Sequence, residues 1–269
     1  MENLQFLKLG GSLITEKSSP HTPRPEVLRR LADEIAVAWQ ASSGMRLVIG
    51  HGSGSFGHVP AQRYGTRRGV HSPDEWRGFV EVWREASTLN RLVVEALYAA
   101  ELPVIALPAS ASLVASDGKV SAWNLAPLTS ALQAGLMPVI YGDVIFDQVR
   151  GGTIFSTEDL FAHLALQLRP QRLLLAGLED GVWADFPQRR KLIPHITPQS
   201  YQVHSPALRG SASVDVTGGM EGKVRQMLSL VEQIPGLEVL IFSGEKPGNV
   251  LQVLSGARIG TRIARSPAI

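Results

Sequence analysis

Six short runs rich in Val, Ile and Leu alternate along this 269-residue chain with longer segments whose apolar residues recur at helical spacing. An unbroken apolar run bordered by Gly, Pro or Ser is how a strand buried on both faces reads, and its alternation with amphipathic helices is the pattern of βαβ units. The fold class is therefore α/β, with a central, mostly parallel sheet. The runs predict strands at 4–9, 46–50, 103–107, 137–141, 172–176 and 238–242, and helices at 25–40, 73–100, 159–168 and 219–233. Residues 143–155, which include Gly151-Gly152, predict a β-hairpin, because Gly accepts the positive φ of tight turns. In the helix at 73–100, Trp76, Phe79, Val80, Trp83, Val93, Val94 and Leu97 fall near helical spacing and read as a core-facing stripe. A parallel sheet gathers the loops that leave its strands along one edge, where open α/β folds bind ligands.

With 44% hydrophobic and 19% charged residues, the chain has ordinary globular usage and length enough to bury about three quarters of its unfolded surface. No Pro/Gly/Ser-rich or charge-rich stretch is long enough to link separate cores, so residues 1–269 are expected to form a single domain, bilobal at most. The 26 basic and 24 acidic side chains leave a formal charge of +2, which argues against nucleic acid as the main partner. Without cysteine there are no disulfides, thiolate metal sites or cysteine nucleophiles. The sequence shows no leader pattern and no apolar run approaching the ~18 residues a membrane span needs. A soluble, cytoplasmic protein without a membrane partner is the expectation.

Four glycine-bearing loops concentrate the chemistry: Lys8-Leu9-Gly10-Gly11-Ser12, the block from Gly50 to His58, residues 177–181, and the block from Thr217 to Lys223. Residues without a Cβ let backbone N–H groups approach an anion, and a helix that follows adds its positive end, so phosphate is the ligand such loops suit. Lysine use narrows this. The chain has 6 Lys against 20 Arg, and three of the six, Lys8, Lys17 and Lys223, sit at or just beyond these loops. A compact ammonium can follow a phosphoryl group as its charge moves, whereas a guanidinium fork favours fixed bidentate geometry. His58, which closes the second loop near the start of a short helix, is placed to donate an N–H to an anion seated on backbone amides. Asp159, in Ser156-Thr157-Glu158-Asp159, and Asp180 and Asp215 lie in or beside post-strand loops, placed to order lysines or meet a nucleotide; the first also has the form of a helix cap.

Two nucleotide motifs do not fit. Gly52-Ser53-Gly54-Ser55-Phe56-Gly57 matches GxGxxG, but the acid a dinucleotide site requires roughly 20 residues later falls in Ser72-Pro73-Asp74-Glu75, a helix start. Gly222-Lys223 is followed by Val224, and Thr217 occupies the place of the first Gly of a Walker A loop. The seven histidines show no metal-ligand spacing, and no protein metal site is expected.

Taken in order, these motifs resemble the amino acid kinase family over nearly the whole chain, from Lys8 to about Ile263. Lys8-Leu9-Gly10-Gly11-Ser12 with Ile14-Thr15-Glu16-Lys17 resembles the family's opening loop. Tyr141-Gly142-Asp143-Val144, residues 156–159, Asp180-Gly181-Val182-Trp183 and residues 215–223 resemble its later motifs. The block from His51 to His58, with its closing histidine, resembles the branch that phosphorylates isopentenyl phosphate. The resemblance implies a three-layer αβα sandwich, with an acceptor-phosphate site in an N-terminal lobe of about residues 1–168 and a nucleotide site in a C-terminal lobe of about 169–269. It implies ATP with Mg²⁺, isopentenyl phosphate as small-molecule acceptor, and a homodimer. Carried over residue by residue, it implies that Lys8, Gly10, Gly11, Ser12 and Gly54 meet ATP phosphates, that Lys17 stabilises the transferring phosphoryl group and that Asp159 organises the lysines. Ser53, His58 and Thr157 would contact the acceptor phosphate, while Asp180, Gly181, Val182, Trp183, Gly219 and Lys223 would hold the nucleotide. Helices between Val59 and Ala100 would line the five-carbon tail. Ser53 and Thr157 stand where glycines are common, and Leu178 where many members have Asp. A fosfomycin-kinase-like relative acting on a phosphonate shares the His58 motif and is the alternative.

Overall fold

The structure, a computed structural model, describes residues 3–16, 18–202 and 219–265. In chain order its strands are β1 (Leu4–Leu9), β2 (Arg46–His51), β3 (Val104–Ala106), β4 (Leu113–Ser116), β5 (Lys119–Trp123), β6 (Met137–Tyr141), β7 (Asp143–Asp147), β8 (Gly151–Phe155), β9 (Arg172–Gly177), β10 (Val182–Trp183), β11 (Leu192–Ile193), β12 (His195–Ile196), β13 (Glu238–Ser243) and β14 (Thr261–Ile263). The helices are α1 (Gly11–Ile14), α2 (Pro25–Ala41), α3 (Gly54–Tyr64), α4 (Pro73–Ala99), α5 (Ala126–Gln133), α6 (Thr157–Leu168), α7 (Gly219–Gln233) and α8 (Asn249–Leu254).

The main sheet runs β12-β14-β13-β9-β1-β2-β6-β3, parallel throughout except where β13 meets β14. Each of the six predicted strands is present within a residue or so of its expected bounds. The two-residue period of β1 shows why the sheet is covered on both faces. Leu4 and Phe6 pack with Phe161 and Leu164 of α6 and Val224 and Met227 of α7. Leu7 and Leu9 pack with Leu31 and Ile35 of α2, Leu89 and Val93 of α4, and Val250 of α8. Helix, sheet and helix thus form the expected three layers. Lys8 falls on the same face as Phe6, and therefore points toward α6 and α7.

Local sequence explains where the helices begin. Ser72 accepts the N–H of Glu75 and Glu75 returns the bond to the N–H of Ser72, a reciprocal cap that starts α4 with Pro73 in its first turn. Ser156 and Asp159 make the same box at α6, so that helix begins at Thr157, two residues before the predicted start. The buried face of α4 is Phe79, Val82, Ala86, Leu89, Val93 and Leu97. Trp76 and Val94 are only half-buried. Val80 and Trp83, expected in that stripe, are 56% and 44% exposed, because Val82 rather than its neighbours is in phase with Phe79 and Leu89.

A second sheet, β5-β4-β7-β8, lies outside the main one. Its β7–β8 part is the predicted hairpin, with Gly151 at φ +72° in the turn. Strands β4 and β5 had no counterpart in the sequence reading: β4 is four residues long with alternating burial and β5 is largely exposed, so neither reads as a continuous buried run. Among the described residues, no helix is long and apolar enough to cross a membrane.

Candidate active site

Strands β1, β2 and β9 end together at one edge of the sheet, and a cavity of about 330 Å³ opens there. Its floor is made by two glycine turns packed backbone against backbone. A Cβ on Gly11 would lie 2.5 Å from the amide nitrogen of Gly54, and one on Gly52 would lie 2.9 Å from that of Gly11. Gly54 also adopts φ +51°, where a side chain would run into the Thr15 hydroxyl. Thr15 ties the two turns together: its hydroxyl donates to the Gly11 carbonyl at 2.8 Å and accepts the Ser55 N–H at 3.0 Å. Gly10, Gly11, Ser12, Ser53, Gly54 and His58, the residues offered from the sequence for phosphate contacts, all line the cavity.

Lys8 and Lys223 also line it, brought from β1 and α7 to one carboxylate. That carboxylate is Glu158, not Asp159. Glu158, on α6 and 8% exposed, contacts the Lys8 ammonium directly and lies 3.7 Å from that of Lys223. Burial alone would push its carboxyl up, but the charges of Lys8 and Lys223 outweigh that and hold it down at about 2, so it stays ionised. Asp159 is instead the acid of the α6 cap, with Arg67 at 3.2 Å and the Gln226 amide at 3.3 Å on its other sides. The expectation that Asp159 organises the lysines is corrected by one helical position. Lys17, the third of the loop lysines, lies outside the described residues, as do Asp215, Thr217 and Gly218. Gly219, at φ +61°, lines the cavity at the start of α7, four residues before Lys223.

Thr157 reaches the cavity, but its hydroxyl is committed elsewhere. It is 1% exposed, and its hydroxyl donates to the His51 carbonyl at 2.6 Å, so only its backbone is placed to meet an anion. On the same side the wall turns apolar, with Ala61 of α3, Val82 of α4, and Ile154 and Phe155 of β8. Val82 and Ile154 belong to a cluster with Val70, Phe79, Val144 and Trp76. Part of the predicted aromatic stripe is therefore backing for this recess, as Trp76 stacks edge-on to Phe79 at 5.1 Å.

The opposite wall comes from the segment after β9: Gly177, Leu178, Glu179, Gly181, Trp183, Phe186 and Arg189. Glu179 accepts from the Trp183 indole N–H at 2.9 Å and takes Arg189 through two nitrogens, at 2.9 and 2.8 Å. Gly181 and Trp183, which the resemblance assigned to the nucleotide, line this wall. Two neighbours do not: Val182 is fully buried, with its N–H donated to the Thr261 hydroxyl, and Asp180 is not among the lining residues and pairs with Lys246 at 2.7 Å. The alternation of a strand explains the first, since Val182 and Trp183 on β10 must face opposite ways.

Three contributors escaped the sequence reading. Glu158 was hidden beside a better-looking Asp, and Arg67 and Arg189 among twenty arginines. His51, behind the glycine turn, is fully buried; its Nδ1 meets the Gly52 carbonyl at 3.1 Å and its Nε2 the Asn90 side-chain amide of α4 at 3.1 Å, while its ring stacks on Tyr141. Burial holds this imidazole below its ordinary value, and its two contacts keep the turn joined to α4. Among the described residues, no group of three or more His, Cys, Asp or Glu could hold a metal ion. The acids at the cavity face lysine or arginine, an arrangement suited to a polyanion that brings its own cation.

Comparison with known proteins places this arrangement. The model of the amino acid kinase family matches residues 3–243. The chain is 35% identical over 267 residues to the isopentenyl phosphate kinase of Methanothermobacter thermautotrophicus, covering 96% of this chain and 98% of that one. It is 37% identical over 259 residues to the isopentenyl phosphate kinase of Haloferax volcanii, covering 93% and 99%. A solved structure of isopentenyl phosphate kinase superposes with a TM-score of 0.80 at 32% identity, covering 97% of this chain and all of that one. Family, relatives and architecture agree on one assignment: this chain belongs to the amino acid kinase family, within its isopentenyl phosphate kinase branch.

Proposed function

We propose that this chain transfers the terminal phosphoryl group of ATP to isopentenyl phosphate, giving isopentenyl diphosphate and ADP. The observation that carries the proposal is the joining, in one cavity, of the Lys8–Glu158–Lys223 cluster and the glycine turns to an apolar recess at Ala61, Val82, Ile154 and Phe155. Such a site suits an acceptor with an anionic head and a short hydrocarbon tail.

The chemistry asks for little beyond placement. A phosphate monoester has a second pKa of about 6, so near neutral pH its oxygen is already a nucleophile and no general base is required. That oxygen bonds to the terminal phosphorus of ATP while the bond from phosphorus to the bridging oxygen breaks, leaving ADP. Two polyanions must be brought into line and the charge spread over the transferred group must be neutralised. The amides of Gly11 and Gly54 and the ammonium groups of Lys8 and Lys223 serve the ATP phosphates, while Gly10, whose own N–H is donated to the Ala176 carbonyl at 2.8 Å, lines the cradle without a side chain, and Lys17 is assigned to the moving phosphoryl group. Ser53, His58 and the backbone at Thr157 serve the acceptor phosphate. Gly181, Trp183 and Gly219 form the nucleoside wall. Mg²⁺ is assigned to the ATP phosphates rather than to a protein cage, where it offsets their charge while keeping most of its water. The family resemblance supports a cytoplasmic homodimer, and the exposed Val80, Trp83 and Tyr98 of α4 offer apolar surface for it.

An ATP/Mg²⁺ assay comparing kcat/KM for isopentenyl phosphate, dimethylallyl phosphate, fosfomycin, acetylglutamate and UMP tests the proposal. The five-carbon monophosphates are expected to lead by orders of magnitude. A lead by fosfomycin would move the acceptor to a phosphonate and leave the ATP half of the site standing.

A further inference from the structure

Arg67 lies in the loop between α3 and α4 and has no place in the roles given above. Its backbone is fixed, because the Thr153 hydroxyl of β8, 1% exposed, donates to the Arg67 carbonyl at 2.9 Å. Its guanidinium lines the cavity and is about a third exposed, reaching Asp159 through one nitrogen at 3.2 Å. Asp159 does not depend on that contact: the same oxygen accepts the Ser156 N–H at 2.9 Å and the Ser156 hydroxyl at 2.8 Å, and its other oxygen accepts from Gln226. The comparison with Arg189, another guanidinium in the cavity wall, is informative. Arg189 is engaged on Glu179 through two nitrogens at 2.9 and 2.8 Å and lies over the Phe186 ring, an arrangement already complete. Arg67 is held by one long contact to an acid with partners of its own.

The reaction distinguishes two kinds of phosphate. The transferred group moves and redistributes charge, which suits ammonium groups such as those of Lys8 and Lys223. The acceptor's own phosphate remains a bound tetrahedral anion from substrate to product, which suits the rigid fork of a guanidinium. Resting on the acceptor assignment made above, we infer that Arg67 binds the phosphate of the acceptor, turning from Asp159 onto two of its oxygens, and retains that phosphate in the diphosphate product. Asp159 holds the guanidinium at the cavity wall until the acceptor arrives.

The test is steady-state kinetics of wild type, R67Q and R67K with isopentenyl phosphate and ATP varied separately, together with inhibition by isopentenyl diphosphate. In R67Q the KM for isopentenyl phosphate is expected to rise about ten- to a hundredfold, as loss of a charge-assisted pair to a phosphate would give, with inhibition by the diphosphate weakened in parallel. The KM for ATP is expected to stay within about twofold, a split that general damage to the fold would not produce. R67K is expected to recover only part of the loss, since a point charge lacks the fork; it also carries the test should R67Q not fold. An acceptor KM unchanged in both variants, or acceptor and ATP KM values rising together, overturns the inference. Absence of turnover of five-carbon monophosphates by the wild type overturns the acceptor assignment itself, and is read before any variant is made.

Discussion

A single helical step separates Glu158 from Asp159, and it decides which acid meets the lysines. The family resemblance favours Asp159, but that acid also completes a Ser-x-x-Asp pattern, and completing it is what turns Asp159 toward the helix terminus. Glu158 is left to face β1, where the period of the strand has put Lys8. Glu158→Gln would keep the shape and remove the charge that gathers Lys8 and Lys223. Its kcat is expected to fall about 10²-fold, as for a reacting geometry loosened by about 1 Å, and this would be read in single-turnover assays. The same substitution has a pH signature. Glu158 titrates lower in the folded protein, about 2 against an ordinary 4.5, so its contribution to stability is complete above pH 4.5 and is lost as the pH falls from there through 2. The Tm of wild type should therefore exceed that of the Glu158→Gln variant at pH 7, with the gap closing below pH 4.5. A gap that stays constant down to pH 3 would mean that Glu158 is not the paired carboxylate.

Among the elements, the junction of the β1–α1 and β2–α3 turns carries the site, and it shows what glycine is for here. The turns approach so closely that the Cβ of an alanine at position 11 would lie 2.5 and 2.7 Å from the N and Cα of Gly54, distances only backbone displacement can relieve. Gly11→Ala should separate the turns, misplace the amides of both, and lower kcat/KM about 10²-fold, with the helix and strand signals in far-UV circular dichroism retained. Retained activity would show that the cradle tolerates a wider gap than its packing suggests. The glycines were legible in the sequence, because they cluster after apolar strands. Their mutual contact was not, since it joins residues more than forty positions apart. Asn90 and His51 illustrate the same limit: each alone reads as an ordinary polar residue, and only the tertiary fold brings a buried imidazole from β2 to an amide on α4.

For the molecule as a whole, the main sheet was legible because buried parallel strands are continuous apolar runs, and the strand ends located the cavity before any side chain was placed. Of the outer sheet only the β7–β8 hairpin was legible, through Gly151-Gly152; β4 and β5 were not, since β4 is four residues long and β5 is largely exposed and carries no such run. That outer sheet nonetheless borders the cavity. Its strand β8 brings Ile154 and Phe155 to the recess from one side, while α4 brings Val82 from the other, with Phe79 and Trp76 behind. The wall proposed for the nucleoside is built from a different part of the chain, after β9, so on that proposal tail recognition and ATP recognition are separable. Val82→Ala would remove two methyl groups where a longer tail must extend. The ratio of kcat/KM for a ten-carbon prenyl monophosphate over isopentenyl phosphate is then expected to rise about tenfold or more, the scale at which hydrophobic pockets discriminate by one or two methylenes. The KM for ATP should stay within about twofold. A ratio that does not move would place the tail elsewhere in the cavity. A shift in ATP affinity of similar size would show that the two walls are mechanically coupled through the sheet edge they share.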